Sequence, residues 1–175
     1  MKHESIEKKI SYQETDLSFE EIYKKKWFPS EASEEVKKAN LLIIPSDYES
    51  NNLDVVFPET TNEFLDYLCQ AENKDVICDI AISDDNFKRI EKHSALIDVA
   101  TVIVQSGLLP IALNMISAFL YDLVSRYRRT RDNTSARVCI IAEKTKTKKS
   151  VKIEYEGPVS GIESLKDVIE KEFKE

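Results

Sequence analysis

Three aspartates near the middle of the chain have the residue type and spacing best suited to chemistry. Asp79 lies in the apolar run VICDIAI, and Asp84 and Asp85 follow where a strand formed by that run would end. Carboxylates at a strand end can hold Mg²⁺ or Mn²⁺, which activates water for hydrolysis. Acidic residues are equally common at helix starts, where they only cap the helix. A metal-dependent hydrolase or nuclease using these three residues is therefore one alternative hypothesis.

Other catalytic residue types are scarce in this sequence. The chain has two histidines, of which His3 lies near the amino terminus and His93 lies near the end of a predicted helix. Its three cysteines form no CxxC pair, and its three glycines cannot build a glycine-rich phosphate loop. Ser106 has one neighbouring glycine and no evident base partner. The sequence therefore favours a protein without a catalytic group, a cofactor or a bound metal.

The charges of the chain are unevenly distributed. The net charge is −7, yet residues 126–152 hold ten basic and two acidic residues, which leaves −15 for the remainder. The arginines of RYRRTR and the lysines of KTKTKK are close in sequence, so a shared basic surface is one expectation. Lysines at helix ends and hairpin tips are also common without any partner. The candidate residues for binding a partner or an anion are Arg126, Arg128, Arg129, Arg131, Lys144, Lys146, Lys148 and Lys149.

This basic face leads to two further hypotheses of function. The leading one is a non-enzymatic accessory or adaptor protein in a multi-protein assembly, with residues 126–152 contacting an acidic or anionic partner. The partner is expected to be another protein or a second copy of the chain. The alternative is a nucleic-acid-binding protein that places the same basic residues on a phosphate backbone.

The elements that would position these residues centre on an apolar segment. Residues 99–121 carry no charge over 23 positions, long enough to cross a bilayer, and arginines follow. Gly107 and Pro110 interrupt the segment, and residues 109–127 have the apolar spacing of a half-buried helix. A membrane contact is therefore not favoured. The β-branched piece 99–105 is consistent with either a strand or a helix.

The residues before this segment predict short alternating elements. Residues 1–16 show no periodicity and are expected to form a mobile arm, followed by a single domain over 17–175. Ser18, Thr60 and Ser160 each precede a glutamate by three residues, which predicts three capped helix starts. Short apolar runs predict strands at 41–44, 54–57 and 76–82, and Ser83 would cap a further helix. Trp27 is expected in the core, with a partner contact as the alternative.

The carboxy-terminal region has the clearest β pattern. Residues 137–143 and 150–156 flank KTKTKK as an antiparallel hairpin, and apolar residues at helical spacing then predict a terminal helix. The predicted fold is α/β, or α+β, with about five short strands in a mixed sheet and packed helices. Unpaired cysteines and an amino terminus without an apolar signal segment predict a cytoplasmic protein.

Overall fold

A computed structural model of the chain describes residues 8–31, 33–71, 73–91, 96–127, 133–144 and 149–172. These residues form nine strands and five α-helices around one cluster of buried apolar side chains. The strands are β1 (Lys9–Thr15), β2 (Leu41–Ile44), β3 (Phe57–Pro58), β4 (Cys78–Ile80), β5 (Arg89–Ile90), β6 (Ile97–Asp98), β7 (Thr101–Gln105), β8 (Ser135–Glu143) and β9 (Ser150–Pro158). The helices are α1 (Phe19–Tyr23), α2 (Ser33–Val36), α3 (Thr61–Gln70), α4 (Leu109–Arg126) and α5 (Ser164–Glu172).

Seven of these strands form one mixed sheet. Their order is β1-β9-β8-β7-β2-β4, and β6 also pairs with β8. The β7–β8 and β2–β4 pairs are parallel, whereas β1–β9, β8–β9 and β2–β7 are antiparallel. Strands β3 and β5 form a separate parallel pair. The predicted α/β fold, with its mixed sheet, carboxy-terminal hairpin and terminal helix, is confirmed.

The hairpin of β8 and β9 follows the predicted alternation. Its two nine-residue strands pair along their whole length. Val151, Ile153 and Tyr155 are buried, while Lys152 and Glu154 point to the opposite face and remain partly accessible. This alternation follows from the pleat, which turns successive side chains to opposite faces of the sheet. It leaves a polar patch on one face of an otherwise apolar sheet.

The piece 99–105, which the sequence left open between strand and helix, forms a strand. β6 and β7 lie end to end along the same side of β8, with Ile97 opposite Ala136 and Val102 opposite Ile140. Val102 is five residues after Ile97, whereas their partners on β8, Ala136 and Ile140, are four residues apart. One extra residue therefore forms a bulge. Asp98, which lies in this stretch, lines two surface recesses.

Helix α4 buries most of its surface and exposes a narrow stripe. Ten of its 18 residues are buried, and Pro110 lies in its first turn, where no amide proton is needed. The exposed stripe contains Asn114, Ala118, Asp122 and Ser125, at three- and four-residue spacing on one side of the helix.

The same helix is long and apolar enough to cross a membrane, together with the turn before it. Ser106–Arg126 is the one such segment in the described part of the chain, and 56% of its apolar window is buried inside the fold. Phe119 contacts Phe64 and Tyr67 of α3, with ring centroids 5.0 and 5.6 Å apart. These contacts are those of the central helix of a soluble domain.

The amino-terminal segment differs from the prediction of a mobile arm over 1–16. Lys9–Thr15 forms β1 and pairs with β9 at all seven of its positions. The first seven residues of the predicted arm, 1–7, lie outside the described residues. Sequence periodicity missed this strand because only Ile10 and Tyr12 are apolar in KISYQET and its partner lies near the other end of the chain.

One of the three predicted helix starts, at Ser18, has the expected hydrogen bond from a backbone amide to the capping side chain. Ser18 begins α1, and its Oγ accepts a hydrogen bond from the Glu21 amide at 3.2 Å. Thr60 instead donates its hydroxyl to the carbonyl of Asp98 at 3.0 Å, which ties the start of α3 to β6. The third predicted helix start, Ser160, lies in a 3₁₀ turn, and α5 begins four residues later at Ser164.

Two further expectations concern Ser83 and Trp27. The helix predicted after Ser83 is a single 3₁₀ turn. Phe87 follows it and packs on Phe57 with ring centroids 5.2 Å apart, and β5 comes next. This tertiary contact holds the chain extended beside β3. The core position of Trp27 is confirmed: it is 2% exposed, and its indole nitrogen donates to the carbonyl of Ser50 at 2.7 Å.

Candidate functional site

Three of the eight predicted basic residues lie in the described part of the chain. Arg126 ends α4 and forms ion pairs with Asp122 at 2.9 Å and with Glu63 at 3.4 Å. Lys144 and Lys149 flank the hairpin tip, where the amide of Lys144 donates to the carbonyl of Lys149 at 3.0 Å. The other five lie outside the described residues: Arg128, Arg129, Arg131, Lys146 and Lys148.

The fold places the three described residues at opposite ends of β8. Helix α4 begins just after β7 and runs back along the sheet for 18 residues, about 27 Å. Its last turn therefore lies near the start of β8, where Leu123 shares a recess with Ile97. Lys144 and Lys149 lie beyond the other end of this nine-residue strand, roughly 30 Å away. Closeness in sequence does not bring these members of the basic face onto one surface.

The three candidate aspartates do not belong to a cluster of three possible metal ligands in the described part of the chain. Asp79 lies on β4, and its Oδ1 accepts a hydrogen bond from the amide of Ile80 at 2.8 Å. Asp84 and Asp85 lie in the 3₁₀ turn that follows. Within the described ranges, no three histidine, cysteine, aspartate or glutamate side chains come together to hold a metal ion. The geometry therefore does not support the hydrolase hypothesis.

The apolar groove is a recess of about 400 Å³ between β3, β5, β6 and the last turn of α4. Its floor contains Phe57 and Leu123, which are almost completely buried. Its walls include Ile90 and Tyr127, which are 42% and 61% exposed. The hydrogen bond from Thr60 to Asp98 holds α3 and β6 together at this recess. Its size lies within the range of ligand pockets, about 300–1,000 Å³.

The exposed apolar side chains and the charges of the groove are both unevenly placed. Four large apolar side chains are exposed in the described part of the chain: Leu53, Ile77, Ile90 and Tyr127. Two of them, Ile90 and Tyr127, line this groove. Each charged residue described along its lining is a carboxylate, namely Glu59, Glu63 and Asp98. An apolar recess with an acidic rim suits a ligand that is apolar at its centre and positively charged at its ends.

The sheet-face cavity is a second recess, of about 420 Å³, between residues 46–50 and the polar face of β8 and β9. The side chain of Lys152 is 18% exposed and pairs with Glu154 at 3.0 Å. Its Nζ also lies 5.7 Å from the centre of the Tyr48 ring. Arg137 pairs with Glu156 at 3.1 Å. Both cations of this cavity are thus already matched by neighbouring side chains.

The pKa values of three side chains that line the sheet-face cavity, Tyr48, Cys139 and Lys152, are all raised. Burial raises the pKa of the Cys139 thiol to about 12 and also raises the pKa of Tyr48. A hydrogen bond with Tyr48 is the main cause that raises the pKa of Lys152. A protonated thiol, a neutral phenol and an ammonium group are poor nucleophiles and bases. These three side chains are therefore not activated for covalent or acid–base catalysis at neutral pH.

Sequence reasoning missed both recesses for a physical reason. The residues of the apolar groove come from five separate segments between Ser46 and Tyr127, and no spacing in the sequence connects them. The apolar spacing of the central helix placed Tyr127 on its buried side, whereas the side chain is 61% exposed. Its exposure depends on how α4 ends against β6, which is a tertiary feature.

No protein-family model matches this chain, and no curated protein or solved structure shows significant similarity to it. Its function must therefore be inferred from the geometry and chemistry of its own residues.

Proposed function

We propose that this protein is a non-enzymatic adaptor of the cytoplasm that binds a short segment of a protein partner in its apolar groove. The observation that supports this most directly is the position of Ile90 and Tyr127. Both are large, apolar and exposed, and both line one recess whose floor is already packed. Exposed aromatic side chains beside a preformed pocket are typical of the centres of protein interfaces.

The charges of the groove indicate the chemistry of the partner segment. Glu59, Glu63 and Asp98 are its described charged residues, and an acidic rim attracts lysine and arginine. The partner segment is therefore a peptide with one large apolar side chain flanked by basic residues. Arg126 contacts Glu63 at 3.4 Å from outside the recess, so this pair would have to rearrange or remain at the edge of the complex.

This proposal moves the binding surface away from the predicted basic face. Arg126 is paired within the chain, and the described lysines lie at the far end of β8. Contact of residues 126–152 with an acidic or anionic partner, including nucleic acid, stays a separate prediction. It differs experimentally because phosphate contacts weaken steeply with salt.

The proposal is tested with defined peptides. Fluorescent peptides with a central phenylalanine or leucine, flanked either by lysines or by glutamates, are titrated with the protein and followed by anisotropy. We expect the lysine-flanked peptides to bind. Tyr127→Ala and Ile90→Ala should each weaken binding about tenfold, as expected for truncation at the centre of an interface.

Leu53→Ala is the matched control. Leu53 is 64% exposed, close to the 61% of Tyr127, but it does not line the groove. It should leave the affinity unchanged. Equal losses for Leu53→Ala and Tyr127→Ala, or no binding of any lysine-flanked peptide, would contradict the proposal. Capture of partners from nuclease-treated lysate with the same three variants then extends the test to natural partners.

A further inference from the structure

Strand β1 forms one edge of the sheet among the described residues. It is the terminal strand in the sheet order, and in the described part of the chain no strand pairs with its outer side. Every second residue of an edge strand directs its backbone N–H and C=O groups outward, so the edge is a template for another strand. None of its seven residues is fully buried.

This edge lacks two of the usual protections, a proline and a bulge. Its sequence, KISYQET, contains no proline or glycine, and its register with β9 continues without a bulge. The opposite edge strand, β4, has only three residues and is thereby too short to recruit much of a partner strand. Natural sheets commonly protect long edges by prolines, bulges or covering loops. A regular seven-residue edge is therefore a candidate pairing surface.

The sequence of β1 is complementary to itself in one antiparallel register. A two-fold axis perpendicular to the sheet at Ser11 places Lys8 opposite Glu14 and Ile10 opposite Tyr12 of the second copy. The same register places Lys9 opposite a glutamine. Because the axis repeats each pair, two opposite-charge pairs and two apolar pairs form across the interface, which are the pairings that stabilise adjacent strands.

We propose that two copies of this chain pair through β1 in this register and form one continuous sheet across the dimer. The pairing is independent of the apolar groove, because the groove lies between β3, β5, β6 and α4, away from the β1 edge. A dimer would carry two grooves, so a partner with two binding segments would gain avidity.

Charge reversal provides the first test, because the charges at 8 and 14 face neutral residues within the chain. Glu14 is opposite Val151 of β9, and the backbone of Lys8 lies against Gly157. In the proposed register, Lys8→Glu and Glu14→Lys each create two like-charge pairs across the dimer. Each should raise the dimer dissociation constant on the order of tenfold, and the double variant, which restores opposite charges, should recover it.

The dissociation constants are measured by sedimentation equilibrium across a concentration series, with a chain mass of 20.1 kDa as the reference for the monomer. Lys166→Glu, an exposed reversal on α5, is the control and should not change the dissociation constant. A monomeric mass at all concentrations would overturn the proposal, as would a dimer that the single reversals leave unchanged or the double variant fails to restore.

A second measurement tests the register. In a Cys69→Ala background, which removes the exposed native thiol, Ser11→Cys places two thiols opposite each other across the two-fold axis. An added mild oxidant should convert this variant to a covalent dimer, because directly opposite residues are close enough for a disulfide. Gln13→Cys is the control, since its two copies lie four residues apart in register. Equal cross-linking of the two variants would contradict this register.

Discussion

At the scale of single residues, the buried ring of Tyr155 determines what its surroundings accept. Its Oη donates a short hydrogen bond to the carbonyl of Pro158, and its ring is fully buried. A Cβ atom at position 161 would lie 2.6 Å from this oxygen, closer than packed atoms approach. Gly161 is thus favoured by its close packing against the buried Tyr155 side chain.

Gly161→Ala should lower the free energy of unfolding by about 1–3 kcal/mol, because the added methyl group overpacks the site. Gly107→Ala is the matched control. A Cβ there would meet no atom within 4 Å, so this variant should raise the free energy of unfolding by about 0.4–1 kcal/mol. Urea denaturation measures both. In a Tyr155→Phe background the cost of Gly161→Ala should shrink; an unchanged cost would show that the clash is not its cause.

At the scale of elements, α4 combines a membrane-like composition with the surface pattern of a soluble helix. Its apolar residues contact the sheet and α3, and the exposed positions 114, 118, 122 and 125 form one stripe. A spanning helix would have apolar residues on all sides, since lipid offers no partner for polar groups. The distinction depends on which face each residue occupies, and composition alone does not contain it.

Ala118→Lys should change the free energy of unfolding by less than about 0.5 kcal/mol, because position 118 is exposed. Phe119→Ala, one residue further, should lower it by about 3–5 kcal/mol, because its ring packs on Phe64 and Tyr67. Both values come from urea denaturation. The unmodified and Ala118→Lys proteins should both stay in the aqueous fraction; recovery of the unmodified protein with membranes, and its release by Ala118→Lys, would contradict this assignment.

At the scale of the whole molecule, burial of two thiols links folding to pH. Burial raises the pKa of both Cys78 and Cys139 from 9.0 to about 12. The unfolded chain therefore releases these protons at lower pH than the folded chain does. Their contribution to stability is complete below the unfolded pKa of 9.0 and is lost as the pH rises toward 12.

The free energy of unfolding should accordingly decrease as the pH rises from 9 toward 12, the range between the unfolded and folded thiol pKa values. The double variant Cys78→Ala/Cys139→Ala should show a shallower decrease, because only the tyrosines and other groups then titrate. Chemical denaturation across an alkaline pH series measures the two slopes. Identical slopes would mean that the thiols ionise equally easily in both states.

Local sequence determined the elements whose signal is periodic and whose burial is one-sided. The β8–β9 hairpin, strand β2, α4 and the start of α1 at Ser18 all followed from patterns within a few residues. Each of these patterns reflects contacts that the element makes with itself or with one apolar core, so neighbouring residues carry the information.

Only the tertiary structure decided what depends on residues far apart in the chain. It placed β1 beside β9 and separated Arg126 from Lys144. It also directed the hydroxyl of Thr60 to the carbonyl of Asp98 in β6, where the sequence predicted a helix cap. It also assembled the apolar groove from five segments. The reason is that strand pairing and recesses arise between elements, whereas hydropathy and capping patterns describe a residue only in relation to its neighbours.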